Sequence, residues 1–303
     1  MKIGWNGGGH FRSVEAIRER ARWAAEHGFA SFWLSQIAGP DSLTALAAVG
    51  RDAPGLELGT SVVPLYGRHP FVLASQALAT QEAVGGRLVL GIGPSHKRYA
   101  EHMLGGSYAR PFTRTREELQ VLQQLLAGKA VDFEGEEVTL RGQLAIEAPA
   151  PPILVAALGE KMLALAGSEA DGTALWMVGP KTLSDHITPR IRSAAAEAGR
   201  PAPRILAGVP VCLTDDAPRA RRHAAPQLAV YGMLPAYRAM LEREGAAAPE
   251  ALLVAGSEDA IRERLAGYKE GGATDLRVSE MCPDEDEAEA TRDLLVRLAS
   301  ESN

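Results

Sequence analysis

The stretch of this sequence best suited to bind a ligand is residues 151–172, PPILVAALGEKMLALAGSEADG. Its apolar run, residues 153–158, lies between two prolines and Gly159, a pattern that predicts a strand buried on both faces. The apolar residues that follow have helical spacing, which predicts a helix from Glu160 to about Glu169. The strand therefore turns directly into a helix whose first backbone N–H groups have no partner within the helix.

The predicted N-terminus of this helix is the first candidate for a binding site. Helix N-termini favour negative charge, so the turn suits a phosphate or another anion. The small residues Ala156, Ala157 and Gly159 leave space for a flat ring to lie close to the backbone. An ordinary buried strand and helix without any ligand is the alternative interpretation of the same pattern.

The composition argues against several classes of protein. The 303 residues are 46% hydrophobic and 23% charged, which is typical of a globular protein with a large core. A net charge of −6 without a basic block argues against a nucleic-acid partner, and no apolar stretch is long enough to predict a membrane partner. The two cysteines, Cys212 and Cys282, lie far apart in or beside apolar runs, so we expect buried thiols in a cytoplasmic protein.

Strands and helices are predicted to alternate along the whole chain. The predicted strands are residues 2–6, 31–36, 56–64, 87–93, 153–158, 172–178, 204–213 and 274–279. A helical pattern follows each strand, and the one at 217–244 is predicted to be broken by Pro226 and Pro235. Eight such units predict a single (β/α)8 TIM barrel domain over residues 1–303. The predicted short insertions are a hairpin at 131–140 and an irregular segment at 96–112.

The predicted mouth of this barrel favours a bound cofactor over chemistry by side chains alone. In barrels of this type the active site lies at the C-terminal ends of the strands. Those ends hold mostly small and aromatic residues here, without the His and Cys spacing of a metal site or a G-x-S-x-G nucleophile motif. We therefore expect no metal, and a large flat cofactor that supplies the chemistry while the protein supplies position and electrostatics.

Three ordered blocks carry a resemblance to a known family. They are GTSVVPLYGRHP at 59–70, GRLVLGIG at 86–93, and AALGEKMLALAG at 156–167 followed by ADG at 170–172. Together they resemble the luciferase-like monooxygenase superfamily and, within it, the branch that uses the deazaflavin coenzyme F420. The resemblance implies a luciferase-like barrel, a homodimer, and hydride transfer between F420 and a small organic substrate, with reduction of a C=C or C=N bond favoured.

Two alternatives stay open on the sequence alone. Relatives that use FMN share the barrel and parts of these blocks, so an FMN-dependent monooxygenase is the first alternative. The second is a barrel that binds a flavin or a deazaflavin without turnover. Oxygen uptake distinguishes the first alternative from F420 chemistry, because a deazaflavin does not activate oxygen.

The resemblance also implies which residues bind the cofactor. Family members have a non-prolyl cis peptide bond at the end of the third strand, which by position joins Ser61 to Val62 in this chain. The bulge at this bond is expected to back the deazaflavin ring. The other cofactor-binding residues implied by position are Gly93, Pro94, Lys97, Ala156, Ala157, Gly159 and Glu160.

The substrate side departs from the family pattern at one place. Many enzymes of the F420 branch have Asp-His at the end of the second strand, where this chain has Ser35 and Gln36. The catalytic residues are therefore left unassigned, with His10 and Glu280 as candidate proton donors and His96 as a third. The residues predicted to face the substrate are Trp33, Ser35, Gln36, Tyr66 and Trp176, with Trp5 as a further aromatic candidate.

Overall fold

Eight parallel strands close into a barrel, as the alternation in the sequence predicts. The computed structural model describes residues 1–302. The strands are β1 (Lys2–Gly8), β2 (Ser31–Leu34), β3 (Glu57–Thr60), β4 (Val63–Pro64), β5 (Leu88–Gly93), β6 (Val131–Glu134), β7 (Thr139–Gly142), β8 (Ile153–Val155), β9 (Gly172–Trp176), β10 (Arg204–Leu213), β11 (Val254–Gly256) and β12 (Asp275–Glu280). The barrel order is β1-β2-β3-β5-β8-β9-β10-β12, and pairing of β12 with β1 closes the ring. This is the predicted TIM barrel.

The helices surround the barrel. They are α1 (Val14–Glu26), α2 (Ser42–Val49), α3 (Pro70–Ala83), α4 (Pro111–Leu126), α5 (Glu160–Ser168), α6 (Pro180–Thr182), α7 (Thr188–Glu197), α8 (Ala217–Met233), α9 (Pro235–Glu244), α10 (Glu258–Glu270) and α11 (Glu285–Glu301). The start of α1 is the predicted one, because the Ser13 hydroxyl accepts a hydrogen bond from the Ala16 N–H. No helix described for residues 1–302 is long and apolar enough to cross a membrane.

Several short elements complete the fold. The strands β6 and β7 form the predicted antiparallel hairpin. The strands β4 and β11 pair with the C-terminal parts of β5 and β10, so both lie at the mouth of the barrel. The predicted third strand at 56–64 is therefore two strands, β3 and β4, separated by Ser61 and Val62. The three residues of β11 were not predicted, because so short a run has no measurable periodicity.

The helical region at 217–244 is broken at one proline rather than at two. The predicted break at Pro226 is wrong, since α8 continues through this residue and only Pro235 starts a new helix. Three buried residues of α8, namely Ala220, Ala224 and Leu228, pack in an apolar cluster with Cys212 of β10 and with Met177, the residue after β9. Tertiary burial of this helix face outweighs the backbone hydrogen bond that proline removes.

The interior of the barrel is filled below its mouth. The apolar layer inside the barrel consists of Trp33, Val89, Leu154, Ala174 and Leu206. At the N-terminal end the Arg204 guanidinium donates to the Asp275 carboxylate at 2.7 and 3.0 Å and to the Glu57 carboxylate at 2.6 Å. The interior is therefore closed from below, and space for a ligand remains at the C-terminal mouth.

Candidate active site at the barrel mouth

A cavity of about 1480 Å³ opens at the C-terminal mouth of the barrel. Its walls come from the ends of β1, β2, β8, β9 and β12, and from α8 and α9, which lie over the mouth. The irregular segment at 96–112 contributes His96, Tyr99 and Tyr108. Barrel enzymes bind their ligands at this end, so the cavity is the candidate active site.

One wall is built around the peptide bond between Ser61 and Val62. This bond is cis, as the family resemblance implied, and both residues line the cavity. The Ser35 hydroxyl donates a 2.8 Å hydrogen bond to the Ser61 carbonyl oxygen, and the Gln36 N–H donates to the Val62 carbonyl oxygen at 3.3 Å. The end of β2 thus holds the segment between β3 and β4 in place.

The side chains of Ser35 and Gln36 line the cavity but are engaged with the backbone. Besides the bond from Ser35 to the Ser61 carbonyl, the Gln36 amide oxygen accepts a 2.7 Å hydrogen bond from the Ser42 N–H, at the start of α2. Both residues therefore position neighbouring elements. Their predicted contact with the substrate stays a prediction.

Small residues continue the same wall. Pro94, Ala156 and Ala157 line the cavity beside Val62. A Cβ atom added at Gly93 would lie 2.8 Å from the Ala156 Cβ and 3.1 Å from the Val62 Cγ2, so only glycine lets these two side chains pack together. Gly93 itself lies behind the wall rather than on it. The result is a wall of short side chains with close access to the backbone.

The N-terminus of α5 opens at the edge of this wall. Gly159 is its N-cap, and within the described part of the chain no side chain caps the helix. A Cβ atom added at Gly159 would meet nothing within 4 Å. Glu160 lines the cavity, and its side chain is 66% exposed with the carboxylate 3.0 Å from Arg190. The first backbone N–H groups of α5 therefore border open cavity, an arrangement that suits an anion.

The opposite wall carries a buried arginine that the sequence analysis did not select. Arg277 of β12 lines the cavity, is 3% exposed and donates from Nη1 to the Asn6 amide oxygen at 2.6 Å. Its Cζ lies 5.1 Å from the centre of the Trp176 ring. Burial lowers the pKa of Arg277 to about 10, so the guanidinium is still charged at neutral pH. The only sign of it in the sequence is a lone arginine within an apolar strand pattern.

Aromatic residues from the helices over the mouth cover this side. The ring centre of Tyr231 lies 6.2 Å from that of Trp176 and 4.9 Å from that of Tyr237, and His96 lies 5.7 Å from Tyr237. Burial raises the pKa of both tyrosines, so they are neutral phenols at neutral pH. Burial lowers the pKa of His96, which keeps its imidazole uncharged. Trp176 lines the cavity, and its predicted contact with the substrate stays a prediction.

The candidate proton donors lie in different surroundings. His10 is exposed in the loop after β1, and Glu280 lies at the end of β12; both line the cavity. The Glu280 carboxylate lies 3.4 Å from Arg20 and 3.4 Å from Arg292. It is therefore held by two guanidinium groups. No group of three or more His, Cys, Asp or Glu residues in the described chain is arranged to hold a metal ion.

Besides Gly93, three of the predicted site residues do not reach the cavity. Trp33 is fully buried inside the barrel, where its indole Nε1 donates to the Ser31 hydroxyl at 2.8 Å. Tyr66 is 4% exposed and packs behind Tyr108, with 5.5 Å between the ring centres. The Lys97 side chain is 73% exposed and lies beside Glu101. These positions differ from the prediction because strand alternation and packing decide the direction in which each side chain points.

A known family matches most of the chain. A family model described as luciferase-like monooxygenase matches residues 2–275. Among characterised sequences, the 5,10-methylenetetrahydromethanopterin reductase of Methanolobus tindarius is 29% identical over 253 residues, which are 83% of this chain and 71% of the reductase.

Solved structures share the architecture. The coenzyme F420-dependent tetrahydromethanopterin reductase of Methanopyrus kandleri matches with a TM-score of 0.83 over 99% of each chain, at 21% identity. The oxygenating constituent of the 3,6-diketocamphane monooxygenase of Pseudomonas putida, in complex with FMN, matches with a TM-score of 0.78 over 99% of this chain and 97% of that chain, at 20% identity. These two likenesses show the barrel fold. The sequence match over residues 2–275 shows in addition that the chain belongs to the luciferase-like monooxygenase family, which is a family of enzymes.

Proposed function

We propose that this protein is a coenzyme F420-dependent oxidoreductase that transfers a hydride between the deazaflavin and a small organic substrate, reducing a C=C or C=N bond. The observation that carries the proposal is the wall of short side chains formed by Ser61, Val62, Pro94 and Ala156. A flat tricyclic ring has room to lie against the backbone of such a wall.

The open N-terminus of α5 fits the other part of the cofactor. The side chain of F420 carries a phosphate, and the backbone N–H groups after Gly159 border open cavity next to the wall. Phosphates bind favourably at such helix ends. We therefore propose that Ala157, Gly159 and the Glu160 backbone hold the phosphate-bearing side chain. Lys97 is left out of this set because its side chain lies in solvent.

The relatives favour F420 over FMN. The reductase from Methanopyrus kandleri is named as F420-dependent, and the sequence relative from Methanolobus tindarius is a reductase of related name. A second sequence relative, the F420-dependent glucose-6-phosphate dehydrogenase of Mycolicibacterium fortuitum, is 33% identical over 187 residues. An FMN-dependent monooxygenase is the second candidate function, supported by the barrel shared with the FMN-bound monooxygenase.

The residues of this chain would position the reactants and exclude water. The cofactor, when bound, supplies the hydride chemistry. Ser35 orients the Ser61 carbonyl beneath the proposed ring position, and Trp176, Tyr231 and Tyr237 cover the opposite side of the cavity. A site covered in this way strengthens electrostatic interactions and holds the reacting groups close together. His10 and Glu280 are the proposed proton donors, since both line the cavity.

Cofactor titration tests this function. The purified protein is titrated with F420 and, separately, with FMN, and tryptophan fluorescence is followed because Trp5 and Trp176 line the cavity. We expect saturable micromolar quenching by F420 and a much weaker response to FMN. Tighter binding of FMN, together with oxygen uptake by the reduced complex, would replace the proposal with the monooxygenase. Binding of F420 without any hydride transfer to unsaturated substrates would favour a non-catalytic barrel.

The family resemblance further leads us to propose a homodimer of single-domain chains in the cytoplasm. Sedimentation equilibrium of the purified protein measures the mass of the assembly directly. A mass of one chain at micromolar concentration would contradict the dimer.

A further inference from the structure

Arg277 lies across the barrel from the proposed cofactor wall. In the ring order β1-β2-β3-β5-β8-β9-β10-β12, three strands separate β12 from β5 in either direction. Pro94 directly follows β5, Val62 directly precedes β4, and Ala156 directly follows β8, which pairs with β5. A deazaflavin ring lying on that wall would therefore face the side of the cavity that contains Arg277. The space between them is where a substrate must lie.

The charge of Arg277 has no counterion in the described part of the chain. Its hydrogen-bond partners there are the Asn6 amide oxygen at 2.6 Å and the Leu175 carbonyl oxygen at 3.4 Å, both neutral. The nearest inward-facing carboxylate on the same strand, Asp275, is already bound by Arg204 at 2.7 and 3.0 Å. Burying a charge without a partner is costly, so a buried, unpaired guanidinium facing a cavity indicates that a ligand supplies the negative charge.

The donors left over on Arg277 suit a carboxylate. Nη1 is held by Asn6, and Nη2 makes only the long bond to Leu175. Nε is buried without a hydrogen-bond partner among residues 1–302. Nε and Nη2 form one edge of the guanidinium plane, and a carboxylate takes two parallel hydrogen bonds along such an edge.

The surroundings of Arg277 are built to keep the guanidinium in place. A Cβ atom added at Gly208 would lie 2.9 Å from the Arg277 Cζ and 2.5 Å from the Trp176 ring, so glycine on β10 makes room for both side chains. Trp176 lies over the guanidinium, and Tyr231 and Tyr237 extend the aromatic surface from there. A ligand whose acid group reaches Arg277 would have its carbon skeleton against these rings, which favours a planar, apolar one.

We propose that Arg277 binds a carboxylate of the substrate, and that the substrate is a planar unsaturated or aromatic organic acid. This inference rests on the proposed function in one respect, namely that the bound acid lies between Arg277 and the cofactor. Arg277 is then a specificity-determining residue, because it selects acids over neutral molecules of the same shape.

The test compares acids with their amides. Crotonate, cinnamate and 2-naphthoate are each titrated by calorimetry into the purified protein, without and with saturating F420, and each is compared with its neutral amide. We expect at least one acid to bind about tenfold or more tightly than its amide, as charge-assisted paired hydrogen bonds allow. The inference is overturned if the amides bind as well as the acids, or if none of the acids binds up to about 10 mM.

Two variants assign the preference to Arg277. Arg277→Met removes the charge with little change in length and is expected to abolish the preference for acids. Arg277→Lys keeps the charge without the planar fork and is expected to keep part of it. The control is Arg262→Met, an arginine outside the cavity whose guanidinium is paired with Glu258 and Glu301, and this variant should keep the full preference. If Arg277→Met does not fold, the inference is tested by the ratio of acid affinity to amide affinity, measured for the wild type and for Arg277→Lys.

Cofactor binding separates this inference from the proposed function. Arg277→Met is expected to bind F420 as the wild type does, because Arg277 lies opposite the cofactor wall. Loss of F420 binding in this variant would make Arg277 a cofactor contact and overturn the inference. Wild-type protein that selects acids through Arg277 but does not bind F420 would overturn the proposed function and leave the carboxylate site standing.

Discussion

The Ser35 hydroxyl donates a 2.8 Å hydrogen bond to the Ser61 carbonyl oxygen, which joins the end of β2 to the end of β3 at the mouth of the barrel. The next residue, Gln36, accepts a hydrogen bond from the first turn of α2. The two residues stand where many enzymes of the F420 branch have Asp-His. In this chain they hold the segment between β3 and β4 and the start of a helix, so we assign the proposed proton transfer to other residues.

Replacing Ser35 by Ala removes the donor to the Ser61 carbonyl. We expect the free energy of unfolding to fall by about 1 kcal/mol, the usual net value of one hydrogen bond, and F420 to bind more weakly because the wall loses support. Urea denaturation and cofactor titration measure the two effects. Ser193→Ala is the control, since its exposed hydroxyl bonds only to Glu197 and its loss should change neither quantity by more than about 0.5 kcal/mol.

Replacing Gly159 by Asp should raise stability and lower cofactor affinity at the same time. The residue has φ of −82° and ψ of 157°, which any residue adopts at an N-cap, and Asp is a better cap than Gly by a few tenths of a kcal/mol. Its negative charge would stand where the phosphate is proposed to bind, so we expect F420 affinity to fall about tenfold. Fluorescence titration and thermal unfolding give the two values.

The neutral variant Gly159→Asn is the control for the charge. It caps the helix about as well as Asp, so it should gain the same stability and lose much less affinity. Equal losses of affinity in the Asp and Asn variants would show that size rather than charge matters at this position. Unchanged affinity in both would place the phosphate elsewhere.

Two tryptophans should behave in opposite ways when each is replaced by Phe. Trp33 is fully buried and bonded to Ser31, so Trp33→Phe should lower the free energy of unfolding by roughly 1 to 3 kcal/mol and leave ligand binding unchanged. Trp176 lines the cavity beside Arg277, so Trp176→Phe should change the affinity for planar acids more than it changes stability. A loss of ligand affinity in Trp33→Phe at unchanged stability would contradict the placement of Trp33 below the mouth.

Glu118 makes stability depend on pH. Burial raises the pKa of Glu118 to about 8, against the opposing effect of Arg114. The unfolded chain releases this proton near pH 4.5, before the folded protein does, so the contribution of Glu118 to stability is fully present below about pH 4.5 and is lost as the pH rises towards 8. The loss is at most about 1.4 kcal/mol per pH unit. Glu118→Gln should remove this slope, as measured by urea denaturation between pH 5 and about pH 8.

The neighbouring Glu117 supplies the control with the opposite sign. Burial alone would raise its pKa, but hydrogen bonds from the N–H groups of Glu136, Glu137 and Val138 lower the pKa below its ordinary value. Its contribution to stability is present above about pH 4.5 and is lost as the pH falls through the lowered value. Glu117→Gln should therefore leave the slope between pH 5 and about pH 8 unchanged and flatten the acid limb. Identical profiles for the two variants would contradict both assignments.

Local patterns predicted the order and type of most elements. The strand at 204–213 has the predicted bounds, because its apolar run lies between a proline-rich segment and two aspartates. Ser13 marks the start of α1 because capping depends on residues three positions apart. The break predicted at Pro226 failed, since local propensity cannot include the burial of Ala224 and Leu228 against the rest of the protein.

The sequence blocks also located two backbone features at the cavity. The block at 59–70 placed the cis peptide bond between Ser61 and Val62, and the block at 156–167 placed the uncapped start of α5. Such features are local, so the order of residues is enough to find them. The direction of a side chain is not local in this way, which is why Trp33 and Lys97 were expected at a cavity that they do not reach.

Only the tertiary structure decided what faces the proposed cofactor wall. Asp275, Arg277 and Ser279 alternate along β12, and the sequence does not say whether that face turns inward or towards the helices. Closure of the barrel turns this face of β12 inward. Gly208 on the adjacent strand leaves space for the Arg277 side chain, and Tyr231 of α8 packs against Trp176 beside it. The sequence alone determined the barrel and the family, because the alternation of strands and helices and the three sequence blocks are local patterns along the chain. The position of the Arg277 charge opposite the proposed cofactor wall could not be predicted from the sequence, because it depends on residues that only the closed barrel brings together.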